Sequence, residues 1–283
     1  MKTPTHFFDE RGGRFCSIFM LCFFSITLCH AQKELPPGAK SNGMAGTVCA
    51  MSDEAHSLQA VATSAFAKEV YLTSNYKNYY LLPDLYTSAF SIVVPYKTLR
   101  LGGFAQRFGP DHYKELRTGV SIAHRIGHTA LGLRVNWEEL AVEGFPTQHA
   151  FTGELGGIVA LTPKINFGAN LYNFTLSSFE NHPLPVILKC GLSGQALPDL
   201  FLNGEIEKNI YEPLFIKWGA QYTLSPSVQL LVGYRHPANS LHSGFFISHR
   251  SIHVGYSLYW IFRFGISQEF MLSYTIKKVR GRP

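Results

Sequence analysis

TALGLRVNWE, residues 129–138, alternates without a break. Thr129, Leu131, Leu133, Val135 and Trp137 are mostly large and apolar, and Ala130, Gly132, Arg134, Asn136 and Glu138 between them are small or polar. Successive side chains of a strand point to opposite faces, so the segment has one apolar face and one that is wet or closely packed. Runs of the same kind fall near 69–76, 87–95, 99–108, 114–123, 150–161, 165–173, 186–195, 200–207, 213–222, 228–235, 244–250, 252–260 and 268–276, which with 129–138 makes 14 segments. Most are close to ten residues, the length a tilted strand needs to cross a bilayer. An even count is what bacterial barrels show.

The connections alternate in length. Short ones carry turn chemistry: 125–128 (Arg-Ile-Gly-His), 162–164 (Thr-Pro-Lys), 196–199 (Ala-Leu-Pro-Asp) and 224–227 (Leu-Ser-Pro-Ser). Longer ones run from Leu140 to Gln148, Phe174 to Pro185, Lys208 to Glu212 and His236 to Ser243. Short turns at one end and longer loops at the other are the barrel arrangement. The predicted fold is therefore all-β, an antiparallel transmembrane barrel of about 14 strands over residues 69–276.

The alternation assigns faces. Ile165, Phe167, Leu171, Leu214, Ile216, Trp218, Leu230, Val232, Phe270 and Leu272 face lipid. The inward set is mixed, with Arg134, Glu154, Lys189, Glu205, Glu207, Lys217 and Arg235 interspersed with Gly and Ser, which implies a narrow, mostly filled lumen. Charges at membrane depth are costly and paired, so internal ion pairing is the first reading of this set and contact with a substrate the second. A soluble periplasmic β-sandwich binding protein would also alternate, but its polar face would carry more charge; here 16% of residues are charged against about 25% in a typical soluble chain.

Residues 1–31 read as a signal peptide. Lys2, Arg11 and Arg14 form a basic start diluted by Asp9 and Glu10, Phe15 to Leu28 is apolar, and Cys29-His30-Ala31 is a small-x-small cleavage site. Three of the five cysteines leave with it, and the remaining Cys49 and Cys190 show no framework spacing. The net charge of +6 is concentrated in a tail, 277–283, with Lys277, Lys278, Arg280 and Arg282. No aromatic residues are interleaved with these cations, so nucleic acid is not an expected partner.

Residues 32–68 are read as an N-terminal plug segment, within which Leu35 to Leu58 differs from the rest: it is rich in Gly, Ala and Ser, alternates poorly, and carries Asp53-Glu54. Small residues permit close backbone approach, which suits packing inside something larger. Residues 38–58, GAKSNGMAGTVCAMSDEAHSL, resemble the start of mature PorV/PorQ-like proteins, relatives of the FadL fatty-acid transporters. Gly38, Ala39, Gly43, Met44, Gly46 and Asp53 match that pattern, Lys40 stands at an Arg position, and Gln59-Ala60-Val61-Ala62 replaces the Asn-Pro-Ala-Gly element that follows it. GELGGIVALTPKINFGANLYN (153–173) is similar to the family's strands. The resemblance implies a 14-stranded outer-membrane barrel with the N-terminal segment inside as a hatch. It also implies a non-enzymatic role, either passage of a hydrophobic small molecule or docking in type IX secretion. The expected partners are then outer-membrane lipid and either such a solute or secretion-system proteins.

No GxSxG, HExxH, P-loop or dinucleotide fingerprint occurs, so no catalytic residue, metal or cofactor is expected. The alternative of a barrel-embedded envelope hydrolase rests on Ser243 with His242 or His249. Most of the histidines fall in turns and loops, His242 among them. Asp53 and Glu54 are expected to anchor the N-terminal segment to a lumen cation such as Arg134 or Lys217.

Overall fold

A computed structural model describes residues 36–180, 182–262 and 264–276. The expected signal peptide, residues 32–35 and the basic tail lie outside the described residues. Sixteen strands occur among the described residues: β1 (Val70–Asn78), β2 (Tyr86–Tyr96), β3 (Leu99–Phe108), β4 (Tyr113–Ile126), β5 (Thr129–Val142), β6 (Gln148–Thr162), β7 (Ile165–Tyr172), β8 (Ser178–Phe179), β9 (His182–Pro183), β10 (Ile187–Leu197), β11 (Leu200–Asn209), β12 (Leu214–Ser225), β13 (Val228–His236), β14 (Ser240–His249), β15 (Ile252–Ile261) and β16 (Gly265–Ile276). All but β8 and β9 form one closed barrel of 14 strands, each pairing antiparallel with its neighbours in sequence. The barrel closes where β1 meets β16, from Val70 opposite Ile276 to Asn78 opposite Gln268. Closure excludes the β-sandwich. β8 and β9 are a small hairpin inside the loop between β7 and β10.

The strands form because one face is apolar and the other polar or small, and the barrel buries the second. Along β12, Leu214, Ile216, Trp218 and Tyr222 are exposed on the outside while Phe215, Lys217, Gly219 and Gln221 are buried inside. With hydrocarbon outside, every backbone group must be paired within the sheet, and closure leaves no open edge. A charged side chain on the outer face, Lys208, lies near the end of β11.

The connections sort onto two rims. Two-residue turns join β2–β3, β4–β5, β6–β7, β10–β11, β12–β13 and β14–β15; the other rim carries the longer loops and the β8–β9 hairpin. One expected loop is corrected. The stretch 236–243 is not a loop, because β14 begins at Ser240 and only residues 237–239 connect it to β13. Its polar Ser240 and His242 read as loop, yet they are buried and face the lumen, where polar residues belong.

Candidate functional site

Residues 36–67 run through the lumen as a one-turn helix (Ala39–Asn42) and two 3-10 turns (Glu54–His56 and Val61–Phe66). The wall admits them where it lacks side chains. A Cβ on Gly219 would lie 2.9 Å from that of Met44, and one on Gly132 would lie 2.8 Å from the carbonyl carbon of Val61. Gly156, Gly168 and Gly233 meet the segment in the same way. Apolar contacts complete the fit: Ala39, Met44, Met51 and Ala55 pack with Tyr71, Val93, Leu231, Phe246 and Met271 of the wall.

Polar contacts attach the segment at several places around the barrel. The Oε2 of Glu205 on β11 accepts from the amides of Val48 (2.9 Å) and Cys49 (3.0 Å). Ser193 on β10 donates to the Ala50 carbonyl at 2.7 Å. Arg134 on β5 donates to the Leu58 carbonyl at 3.0 Å and also to that of Ser57. Arg100 on β3 donates to the Ala67 carbonyl at 2.5 Å, and the ring of His242 on β14 lies 2.9 Å from the Asn42 carbonyl.

The lumen charges at the segment's level form two networks. Arg134 and Glu154 face each other across β5 and β6 at 3.0 Å, and Arg117 lies 3.6 Å from the same carboxylate. Elsewhere on the wall, Lys217 and Glu205 are direct register partners at 3.3 Å. Glu207 gathers Lys217 (2.6 Å), Arg235 (3.2 Å) and Lys189 (3.6 Å). The six candidate lumen residues therefore fall into two groups: Arg134 with Glu154 in one, and Lys189, Glu205, Lys217 and Arg235 in the other.

Of the segment's own candidates, Gly38 opens the short helix, Gly43 closes it against Leu231, and Met44 is fully buried. Gly46 holds a φ of 75°, a left-handed conformation that suits glycine. Asp53 is corrected. It binds Lys40 of the same segment at 2.5 Å rather than Arg134 or Lys217, because those two cations already hold carboxylates on neighbouring strands. Lys40 keeps the Asp53 carboxyl well below the usual carboxylate range. Burial pushes the His56 imidazole down to about 4, and among the described residues neither ring nitrogen has a hydrogen-bond partner.

The hydrolase cluster does not assemble. Ser243 is exposed on the outer face of β14 and His242 is buried on the inner one; His249 shares Ser243's face but lies six residues along, about 20 Å away. Cys49 and Cys190 are both free, and they lie on opposite sides of the barrel wall. Among the described residues no group of three or more His, Cys, Asp or Glu side chains is placed to hold a metal ion. The wall glycines and Ser193 were missed from the sequence, where only their inward position in an alternating strand marked them.

The sequence matches no protein-family model and no curated protein. Solved structures do match. The CymD monoaromatic hydrocarbon channel superposes with a TM-score of 0.67 at 14% identity, covering 85% of this chain and 98% of that one. The Pseudomonas putida toluene transporter TodX gives 0.65 at 12% identity, covering 86% and 98%. The chain shares their fold. It is an outer-membrane β-barrel: a closed sheet with an apolar exterior, similar to channels of this kind. The PorV/PorQ likeness of residues 38–58 has no counterpart among these matches.

Proposed function

We propose that the protein is a FadL-like outer-membrane channel for small hydrophobic molecules, and that residues 36–68 are the hatch that closes it. The observation behind this is the seating of the segment. It lies on wall glycines and is held by separable polar contacts from β3, β5, β10, β11 and β14. Its departure would uncover Val93, Leu231, Phe246 and Met271, an apolar track on which a hydrophobic solute could pass. Monoaromatic compounds, named for the matched channels CymD and TodX, are the first solutes to try.

The test is uptake of toluene by cells that express the full chain, the chain lacking residues 38–58, or neither. Uptake above the empty cells, increased further by the deletion, is the expected outcome. Equal uptake in all three overturns the passage reading. A docking role in type IX secretion, the other role implied by the resemblance, rests on residues 38–58 alone. It would require a secretion-machinery protein to co-purify with the barrel and be lost when the loop 173–186 is trimmed.

A further inference from the structure

Among the described residues, the connections on the two rims differ in the sign of their charged side chains. Among the described residues, the charged side chains of the longer loops are Asp84, Asp111, Glu143, Glu180 and Glu212, all acidic. The two-residue turns carry Lys97, Lys164 and Arg250 against Asp199.

The turn cations are held at membrane level. Each is within three residues of an exposed apolar side chain of the outer face: Lys97 beside Tyr96, Lys164 between Leu161 and Ile165, Arg250 between Ile247 and Ile252. At about 3.3 Å per residue, none stands more than roughly 10 Å from hydrocarbon-facing surface. Their stems can lie along that surface with the charge at headgroup depth.

Backbone geometry adds a second observation. The first residue of three turns has left-handed φ: Gly127 at 57°, Lys97 at 52° and Arg250 at 54°. Glycine takes this conformation freely, whereas a side chain there is strained. In two of the three turns a cation stands where glycine would fold more easily.

We infer that the turn rim binds anionic phospholipid headgroups of the leaflet it faces, through Lys97, Lys164 and Arg250. The inference rests on the barrel spanning a bilayer and is independent of what the lumen conducts. A partner in the adjoining aqueous space would be met by cations raised on loops; these sit on the tightest turns of the molecule.

The experiment compares spin-labelled phosphatidylglycerol with spin-labelled phosphatidylcholine at the surface of the full chain in phosphatidylcholine vesicles. The expected result is a several-fold preference for phosphatidylglycerol, up to about five-fold for each cation engaged. It should fall toward unity in about 1 M salt, where charges are screened within about 3 Å. The triple variant K97G/K164Q/R250G should lose most of the preference yet fold at least as well, since two of its changes relieve left-handed side chains. The variant D84N/D111N/E143Q on the opposite rim should keep it. No preference in the parent chain, or full preference in the triple variant, overturns the assignment. So does competition by soluble glycerol phosphate stronger than chloride gives at equal ionic strength, which would indicate a site for free phosphate.

Discussion

Glu205 serves two roles at once, since one oxygen receives two amides of the segment and the other faces Lys217. Glu205→Ala removes a buried partner from a charged network, a class of change that costs about 3–5 kcal/mol. It should lower the urea midpoint of the folded barrel, with Glu205→Gln milder because it retains an acceptor. Gly233→Val tests the close approach directly. Its first carbon would lie 2.9 Å from the Cβ of Ala45, and crowding of this sort costs roughly 1–3 kcal/mol; residues 36–67 should become more open to added protease. His56 adds a pH dependence. Its buried ring stays neutral down to about 4, while an exposed ring takes a proton near 6.5. Release of the segment therefore binds a proton between those values, and its stability is full above about pH 6.5 and falls by about 3 kcal/mol toward pH 4. Burial and Asp53 raise the Glu54 carboxyl, which works in the opposite sense, so Glu54→Gln should steepen the fall and His56→Gln should abolish it in hydrogen exchange of residues 36–67.

Individual elements were legible to unequal degrees. The barrel strands could be read because each must present apolar side chains to lipid at every second position, and all 14 expected segments overlap a barrel strand. Their ends were harder. β5 continues to Val142 and β14 begins four residues before the expected start, since inward residues at a strand's end look like loop. β8 and β9, two residues each, are too short to show any period. For residues 36–67 composition alone suggested close packing. The anchors could not be read, because Glu205 binds backbone amides and Arg134 binds backbone carbonyls, which leave no mark on side-chain pattern. The turns behave locally: a Cβ added at Gly127 would meet no atom within 4 Å, so Gly127→Val should cost only the left-handed conformation, about 1–2 kcal/mol, read as a small drop in urea midpoint with solute flux unchanged.

At the scale of the whole molecule, folding should be visible as a change of gel mobility between unboiled and boiled outer-membrane extract, and a chain that shows no shift and fractionates as soluble would contradict the barrel. The seam between β1 and β16 has a further consequence. It joins residues at opposite ends of the sheet's sequence, Val70 with Ile276, so the circle cannot be completed until the last strand has been made. A ribosome that stalls, or a protease that trims, before Gly265 leaves β1 and β15 with unmatched backbone facing hydrocarbon, which no lipid can satisfy. Such a fragment has no smaller circle to fall back on, because removing one strand would leave β1 beside a parallel neighbour. Quality control of this protein should therefore be a matter of the 12 residues of its final strand, and a cell could sort finished from unfinished copies by whether a single edge is still free.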